Sequence, residues 1–355
     1  VETSDQERVS TPEELTMAQK VKAAFAHVMA LPFHIIPVVL LFGGALNGHL
    51  TGVKRAQELF GYAFRIRGVV ENSPEAIRVH KLNHPGIPVL QYTLGDTTHH
   101  TALSKIEQLS PRGEWPYSYW HGSVECLLSS RANMKKRRYS AAVGLVIWTI
   151  RLFTKAGVVW TLEDEPTVAK AVSKLCPHAH VIDHARFAPE MTSHRRRFHA
   201  SSHQLDLLRQ PPRDPSFVRR FGAQYGLDPE EPSMLLTGFY NSFDGDGMAP
   251  TITSHGLRIG HHRSTLQPVT VEHTLMALGY LESELPSWPD HLTLAQKKKF
   301  VAQIMSPSFS SGLATAVHNV ITKLPAFKDA PVRPDLFCSL QDPETPLFGC
   351  LINIR

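Results

Sequence analysis

Ile35-Ile36-Pro37-Val38-Val39-Leu40-Leu41-Phe42-Gly43-Gly44 is the stretch on which the fold turns. Eight apolar residues, rich in β-branched types, end directly at a glycine pair. An apolar run of this length without alternation reads as a strand buried on both faces, the kind found in parallel sheets. Pro37 has no N–H for a central ladder, so it belongs near the strand's start. Reading outward, residues 50–60 have a helical pattern. Arg65–Val70 is a second strand that stops at Glu71, and a helix then runs to about Leu82 and breaks near Pro85. Val89–Leu94, Tyr117–Gly122, Val158–Leu162 and His180–Asp183 continue the series as strands, with helices over 98–109, 141–156 and 165–175. Strands alternating with helices of this length predict a doubly wound, mostly parallel α/β sheet with helices on both faces.

The texture changes after residue 200. Pro211, Pro212, Pro215, Pro229, Pro232 and Pro250 punctuate a small loop-rich insertion over 201–249. Helical patterns return at about 270–280, 293–305 and 312–324, so residues 35–200 and 250–324 are expected to form one α/β domain. Residues 325–355 carry five prolines and read as an extended tail over the surface. Residues 1–34 read as a polar tail followed by a helix, with Thr11 as its cap and Pro12 in its first turn. No internal repeat is visible.

With 355 residues, 42% of them hydrophobic, the chain can bury a sizeable core. The longest apolar stretch falls far short of the roughly 20 residues that span a bilayer, so no membrane span is expected. There is no secretory signal pattern. Cys126, Cys176, Cys338 and Cys350 are widely spaced, which argues against a disulfide framework and for a reducing, intracellular compartment. The chain begins at Val1 rather than Met, which fits a fragment or a removed upstream segment; an organellar transit peptide is one such segment. The expected location is the mitochondrion or the nucleus. A net charge of +5 is compatible with a nucleic-acid partner without demanding one.

Three strand ends carry groups suited to a nucleoside. Phe42-Gly43-Gly44 forms a turn that lets a cofactor approach the backbone at a helix N-terminus. Glu71 ends the second strand, where a carboxylate takes ribose hydroxyls. Asp96 follows Gly95 at the end of the third. Plain strand-to-helix turns would use the same residues. Cys126, Glu163 and the pair Arg195 and Arg197 stand near later strand ends. A thiolate, an acid and a guanidinium could serve one reaction, in which the thiolate adds to an electron-poor ring. A lone cysteine is more often inert packing, and an arginine run is more often a solvated or phosphate-facing surface.

The order and spacing of these motifs, from about Pro37 to Leu324, resemble the cytosine-C5 DNA methyltransferase family. The family's Asp-Leu-Phe-x-Gly-x-Gly-Gly loop corresponds to Leu40-Leu41-Phe42-Gly43-Gly44-Ala45-Leu46-Asn47. Its acidic ribose ligand and later Asn-His-Pro correspond to Glu71 and Asn83-His84-Pro85. Its adenine-side Asp matches Asp96, and its Pro-Pro-Cys nucleophile loop matches Val124-Glu125-Cys126. Its Glu-Asn-Val matches Glu163-Asp164-Glu165, and its Gln-x-Arg-x-Arg matches Ser193-His194-Arg195-Arg196-Arg197. Its closing Gly-Asn-Ala/Ser-Val is matched by Gly312-Leu313-Ala314. The resemblance implies S-adenosylmethionine as cofactor, held by Phe42, Gly43, Gly44, Glu71, Asp96 and Gly312. It implies DNA or RNA as partner, and Cys126 as a nucleophile attacking C6 of a flipped cytosine. Glu163 would then hold the base, with Arg195 as oxyanion-side support and Arg197 beside it.

The supporting residues differ from the family's pattern. Leu40 replaces the opening Asp, Leu46-Asn47 the second glycine pair, and Val124-Glu125 the proline pair. Glu125 sets a negative charge beside Cys126 and disfavours its thiolate. Asp164 and Glu165 crowd Glu163, Ser193 replaces Gln, and Leu313 replaces Asn. Together these point to a methyltransferase-like protein with reduced or lost catalysis, serving as a binding or structural module in a nucleic-acid-containing assembly with protein partners. The alternatives are an active divergent enzyme working through Cys126, and an unrelated nucleotide-binding α/β enzyme. Arg131, Lys135, Lys136, Arg137 and Arg138 form a basic segment able to contact phosphates. Lys297-Lys298-Lys299 reads as a helix face. Cys176, His178 and His180 have metal-ligand types but alternate spacing and no partner motif, so no metal is expected.

Overall fold

The computed structural model describes residues 34–42, 46–124, 136–176, 178–184, 195–205, 207, 235–237, 260–262 and 270–330. The expected N-terminal helix, most of the 201–249 insertion, the tail beyond 330 and the loop carrying Cys126 lie outside them.

Seven strands form one sheet: β1 (Ile36–Leu41), β2 (Phe64–Glu71), β3 (Val89–Gln91), β4 (Tyr119–Ser123), β5 (Val159–Asp164), β6 (His178–Asp183) and β7 (Arg196–Ser201). Their order is β3-β2-β1-β4-β5-β7-β6. The first five run parallel, and β7 inserts antiparallel between β5 and β6. β8 (Leu235–Thr237) and β9 (Gly260–His262) make a separate antiparallel pair. β1 is an interior strand, between β2 and β4, and is buried along its whole length. Pro37 is its second residue, where the missing N–H is tolerated.

The pleat of β1 sorts its side chains between two cores. Val39 and Leu41 join a cluster with Ile106 of α3 (His99–Ile106) and with Val146, Ile150 and Phe153 of α4 (Lys136–Ala156). Ile36, Val38 and Leu40 join the opposite cluster with Leu50 and Val53 of α1 (Gly48–Phe60) and with Phe309, Leu313 and Val317 of α8 (Pro307–Ile321). A third cluster gathers α2 (Pro74–Asn83), α6 (Val271–Ala277) and α7 (Leu294–Ala302) around Leu275 and Tyr280. No helix among the described residues is long and apolar enough to cross a membrane.

Three expectations need correction. The 165–175 segment is not one helix; it breaks into short turns around α5 (Ala169–Val172). Pro325–Lys328 forms a helical turn, α9, rather than extended chain. The Arg195–Arg197 run is not a solvated surface. It enters β7, where alternation leaves Arg196 outside and buries Arg197. Charge composition hid this strand, because ion pairs formed only in the folded chain compensate the buried guanidinium.

Glycines govern the contact of α1 with α8. A Cβ at Gly52 would lie 2.3 Å from Cβ of Ser310 and 2.6 Å from the Pro307 carbonyl oxygen. Helix axes approach that closely only where one side chain is missing. Gly52→Ala is expected to destabilise the protein by about 1–3 kcal/mol through overpacking, read as a lower denaturation midpoint at unchanged denaturant slope.

Candidate functional site

A cavity of about 550 Å³ opens beyond the carboxyl ends of β1–β4. Ligands in open α/β sheets bind at this edge, and the volume is in the usual range for small-molecule sites. The strand order assigns each side of the cavity its own set of residues.

At the β2–β3 side stand Glu71, Thr93, Leu94 and Asp96. One carboxylate oxygen of Glu71 accepts from the backbone N–H groups of Asn72 and Ser73, at 2.8 and 2.9 Å. Those bonds orient a half-buried carboxylate at the cavity wall. Gly95 has φ of 96°, a left-handed turn that suits glycine, and the exposed Asp96 follows it. Leu145 and Trp148 of α4 supply an apolar wall, and Lys299 and Phe300 of α7 close another. The lysine run read as a plain helix face thus has one member at the cavity.

At the β1–β4 side, Phe42 lines the cavity with a left-handed φ of 56°. Gly43 and Gly44 lie outside the described residues. Asn47 caps α1, its Oδ1 accepting from Leu50 N at 3.1 Å. Gly48 is the close-approach residue here: a Cβ would stand 1.9 Å from the Met305 carbonyl oxygen. His49 and His121 complete the wall, with Ser123 at the tip of β4. A nucleoside fits the β2–β3 side, where Glu71 can take ribose hydroxyls and Asp96 an exocyclic amine. The methionine part of S-adenosylmethionine does not fit the β1–β4 side equally well. The α1 amide at Leu50 is already satisfied by Asn47, and Leu46 and Asn47 stand where the family pattern has glycines.

Beside this wall lie the residues expected to act on a base. Glu163, next to last in β5, lies opposite Ser123, whose Oγ donates to Glu163 Oε2 at 2.6 Å. Arg197 places Nε 2.8 Å from Glu163 Oε1 and donates from Nη1 to Glu165 at 2.5 Å. Antiparallel pairing produces this contact, because β7 runs back beside β5. Glu163 and Arg197 are only 1% and 3% exposed, and Glu163 does not line the cavity. Cys126 follows Val124 by two residues and lies outside the described residues.

Two expected placements are corrected. Arg195 does not accompany Glu163. Its Nη2 donates to the Ala302 carbonyl at 2.8 Å, and its own N–H to Asp183 at 3.0 Å, so it ties the end of α7 to the sheet. Residues 195 and 197 are separated because 195 precedes the strand. Gly312 does not line the cavity either. It sits within α8, where a Cβ would meet Leu207 Cδ1 at 3.0 Å, and the segment that reaches the cavity is Gln303–Met305, ahead of α8.

Sequence reading missed the histidines. His49, Tyr119, Thr161 and His121 are linked by hydrogen bonds of 2.9, 2.6 and 2.8 Å, and the two rings stack at 3.9 Å. Behind them His184 and His199 contact each other at 2.7 Å, against Phe309. Burial lowers His121 and His199 to about 3 and holds His49 and His184 well below the ordinary imidazole value. Arg197 adds to the shift of His199, whereas Glu163 opposes that of His121. Cys176 is a buried free thiol, raised by burial to about 11. No metal-binding cluster occurs among the described residues.

No family model and no curated protein matches the chain by sequence. Solved structures match its fold. The Dnmt2 methyltransferase of S. pombe aligns with a TM-score of 0.54 at 12% identity, over 80% of this chain and 99% of the other. The Entamoeba histolytica methyltransferase EhMeth aligns with a TM-score of 0.51 at 12% identity, over 81% and 98%. Identities this low speak for fold alone, and the fold is that of the S-adenosylmethionine-dependent methyltransferases.

Proposed function

We propose that this chain is a cytosine-C5 methyltransferase-like protein with reduced or lost catalysis, acting as a binding or structural module in a nucleic-acid-containing assembly. The observation that carries this is the state of Glu163. Its Oε2 accepts from Ser123, its Oε1 lies in an ion pair with Arg197 that is not aligned as a hydrogen bond, and the residue is 1% exposed. A base-holding acid must offer its carboxylate to a flipped ring, and Ser123 stands between Glu163 and the cavity. Glu125, next to Cys126 in sequence, adds a charge that opposes thiolate formation.

S-adenosylmethionine, when bound to a working enzyme of this type, supplies the methyl group. Here Glu71 and Asp96 would hold its nucleoside, while the β1–β4 side is poorly shaped for the rest. The nucleic-acid partner is supported by the net charge of +5 and by the basic residues 131–138. Binding of an oligonucleotide should weaken steeply with salt if phosphates carry it; salt-independent binding, or none, would count against the partner. Protein partners and a mitochondrial or nuclear location belong to the same proposal, and imaging of the tagged full-length protein checks the latter.

The competing reading, an active divergent enzyme, is favoured by the Glu163–Arg197 pair beside a nucleoside-sized cavity. One experiment separates the two. An oligonucleotide carrying 5-fluorocytosine, incubated with the protein and S-adenosylmethionine, is expected to leave no covalent adduct. An adduct that disappears in Cys126→Ser would overturn the loss of catalysis.

A further inference from the structure

The seven-stranded sheet ends in two unlike edges. β3, at one end, is three residues long and follows directly on Pro88, so it offers a second chain little to pair with. β6, at the other, runs for six residues, and no strand among the described residues lies beyond it. Its sequence, His178-Ala179-His180-Val181-Ile182-Asp183, holds no lysine or proline, and its pairing with β7 has no bulge. Those are the features by which proteins commonly blunt an edge.

Two hydrogen bonds fix which backbone groups of β6 face outward. His184 N–H donates to the Arg195 carbonyl at 3.0 Å, in register with the β6–β7 pairing. In an antiparallel ladder every second pair exchanges bonds, so the even-numbered residues of β6 are the ones turned to β7. Ser202 N–H donates to the Trp160 carbonyl at 3.1 Å, which turns the even-numbered residues of β7 to β5 and its odd-numbered ones to β6, in agreement. The N–H and C=O groups of Ala179, Val181 and Asp183 therefore point away from the sheet. The side chains of these residues lie on the face of the first core cluster, where Ala179 packs and Val181 is paired with the buried Phe198. Val181 is nonetheless 38% exposed, and Leu175, at the end of the turns that follow α5 over the same face, is 49% exposed.

We propose that this edge pairs antiparallel with β6 of a second copy of the chain, continuing the sheet across a two-fold axis at Val181. Residues that face each other in such a pair must both be turned outward or both inward. An axis at Val181 meets that condition and engages every outward residue: Val181 faces Val181, and Ala179 of each copy faces Asp183 of the other. An axis at His180 would engage only Ala179 and Val181 and would set the two His180 rings against each other. With the axis at Val181, apolar side chains meet on one face, and Leu175 of each copy flanks them. Charge agrees with the antiparallel sense. The acidic end of one strand, Asp183, comes beside the end of the other that carries His178 and His180, just after the exposed Lys174, and no like charges are opposed. A two-fold contact of this kind is closed, so it stops at a dimer.

The dimer does not depend on the proposed function, since β6 lies at the far end of the sheet from the β2–β3 side of the cavity. Sedimentation equilibrium of the full chain tests it. A monomer–dimer exchange is expected, with a dissociation constant on the order of 10 µM, because one strand pair and its flanking leucines bury less than a standard interface of about 1,600 Å². Val181→Lys places two ammonium groups on the axis and should weaken the dimer by about tenfold or more, with the melting temperature of the dilute monomer unchanged. Val181→Pro removes the outward N–H on the axis and should do the same; it decides if the lysine variant does not fold. Leu59→Lys, at an exposed leucine of α1, should leave the exchange as it is. A chain that stays monomeric up to roughly ten times that concentration would overturn the inference. So would a dimer that neither substitution at Val181 weakens, because the contact would then lie elsewhere.

Discussion

Replacing Arg55 by methionine is expected to cost about 3–5 kcal/mol of stability, the usual penalty for stranding one member of a buried ion pair. Arg55 lies on α1 with its side chain 8% exposed. Its Nε and Nη2 donate to the two oxygens of Glu284 at 3.0 and 2.5 Å, in a bidentate pair. Nη1 donates to Ser308 at 2.6 Å, and Nη2 also donates to the Gly279 carbonyl at 3.0 Å. One guanidinium therefore joins α1, the loop after α6 and the start of α8, which are distant in sequence. At about 2–4 °C per kcal/mol for a domain of this size, the melting temperature should fall by roughly 10 °C. Arg55→Lys should recover little, since a single ammonium cannot reproduce a planar fork. The double variant Arg55→Met/Glu284→Met should be more stable than Arg55→Met, because no carboxylate is then left without its partner. A double variant no better than the single would show that packing, rather than charge, is what Arg55 contributes. Calorimetric melting of the three variants beside the unaltered chain checks all of this.

Mild acid is expected to unfold the protein. His121 and His199 are held by burial near pKa 3, and His49 and His184 are also well below the ordinary imidazole value. A folded-state pKa below that of the unfolded chain means that the unfolded chain takes up protons first as pH falls. Stability is therefore complete above about 6.5 and is lost progressively below it, down to the folded value. The slope is about 1.4 kcal/mol per pH unit for each such histidine. At pH 5, His121 and His199 alone should account for roughly 4 kcal/mol. Nearby charges do not reverse this. Glu163 is the one group that opposes the shift of His121, and Arg197 reinforces that of His199. Arg195 and Arg197 act the same way on His184. Denaturant titrations at pH 7.5, 6 and 5 should show falling midpoints, with His199→Gln less steep than the unaltered chain. A flat profile between pH 7.5 and 5 would mean that these rings are more open to water than the structure places them.

What the sequence by itself determined was the parallel part of the sheet. Ile36–Leu41 had to be buried on both sides, because six consecutive apolar residues without alternation leave no face for water. The other parallel strands were legible from their alternation with helices, whose apolar spacing and caps such as Ser73, Thr98 and Ser306 are local features. Glu71 and Asp96 were legible for the same reason: a residue at a strand's carboxyl end in a parallel sheet faces the cleft wherever the chain goes next. The site beyond those strand ends was decided by tertiary structure. Whether Arg195 or Arg197 meets Glu163 depends on where β7 begins and on its running antiparallel to β5, which no spacing in the chain reveals. His49 and His121 are 72 residues apart in number, and each alone looks like any other histidine. Only their meeting over Tyr119 and Thr161 removes them from water, and with the water goes their charge. Burial of a polar group is a property of its surroundings, and those surroundings are assembled from α1, β4, β5 and β7 at once, so a reading along the chain cannot find it.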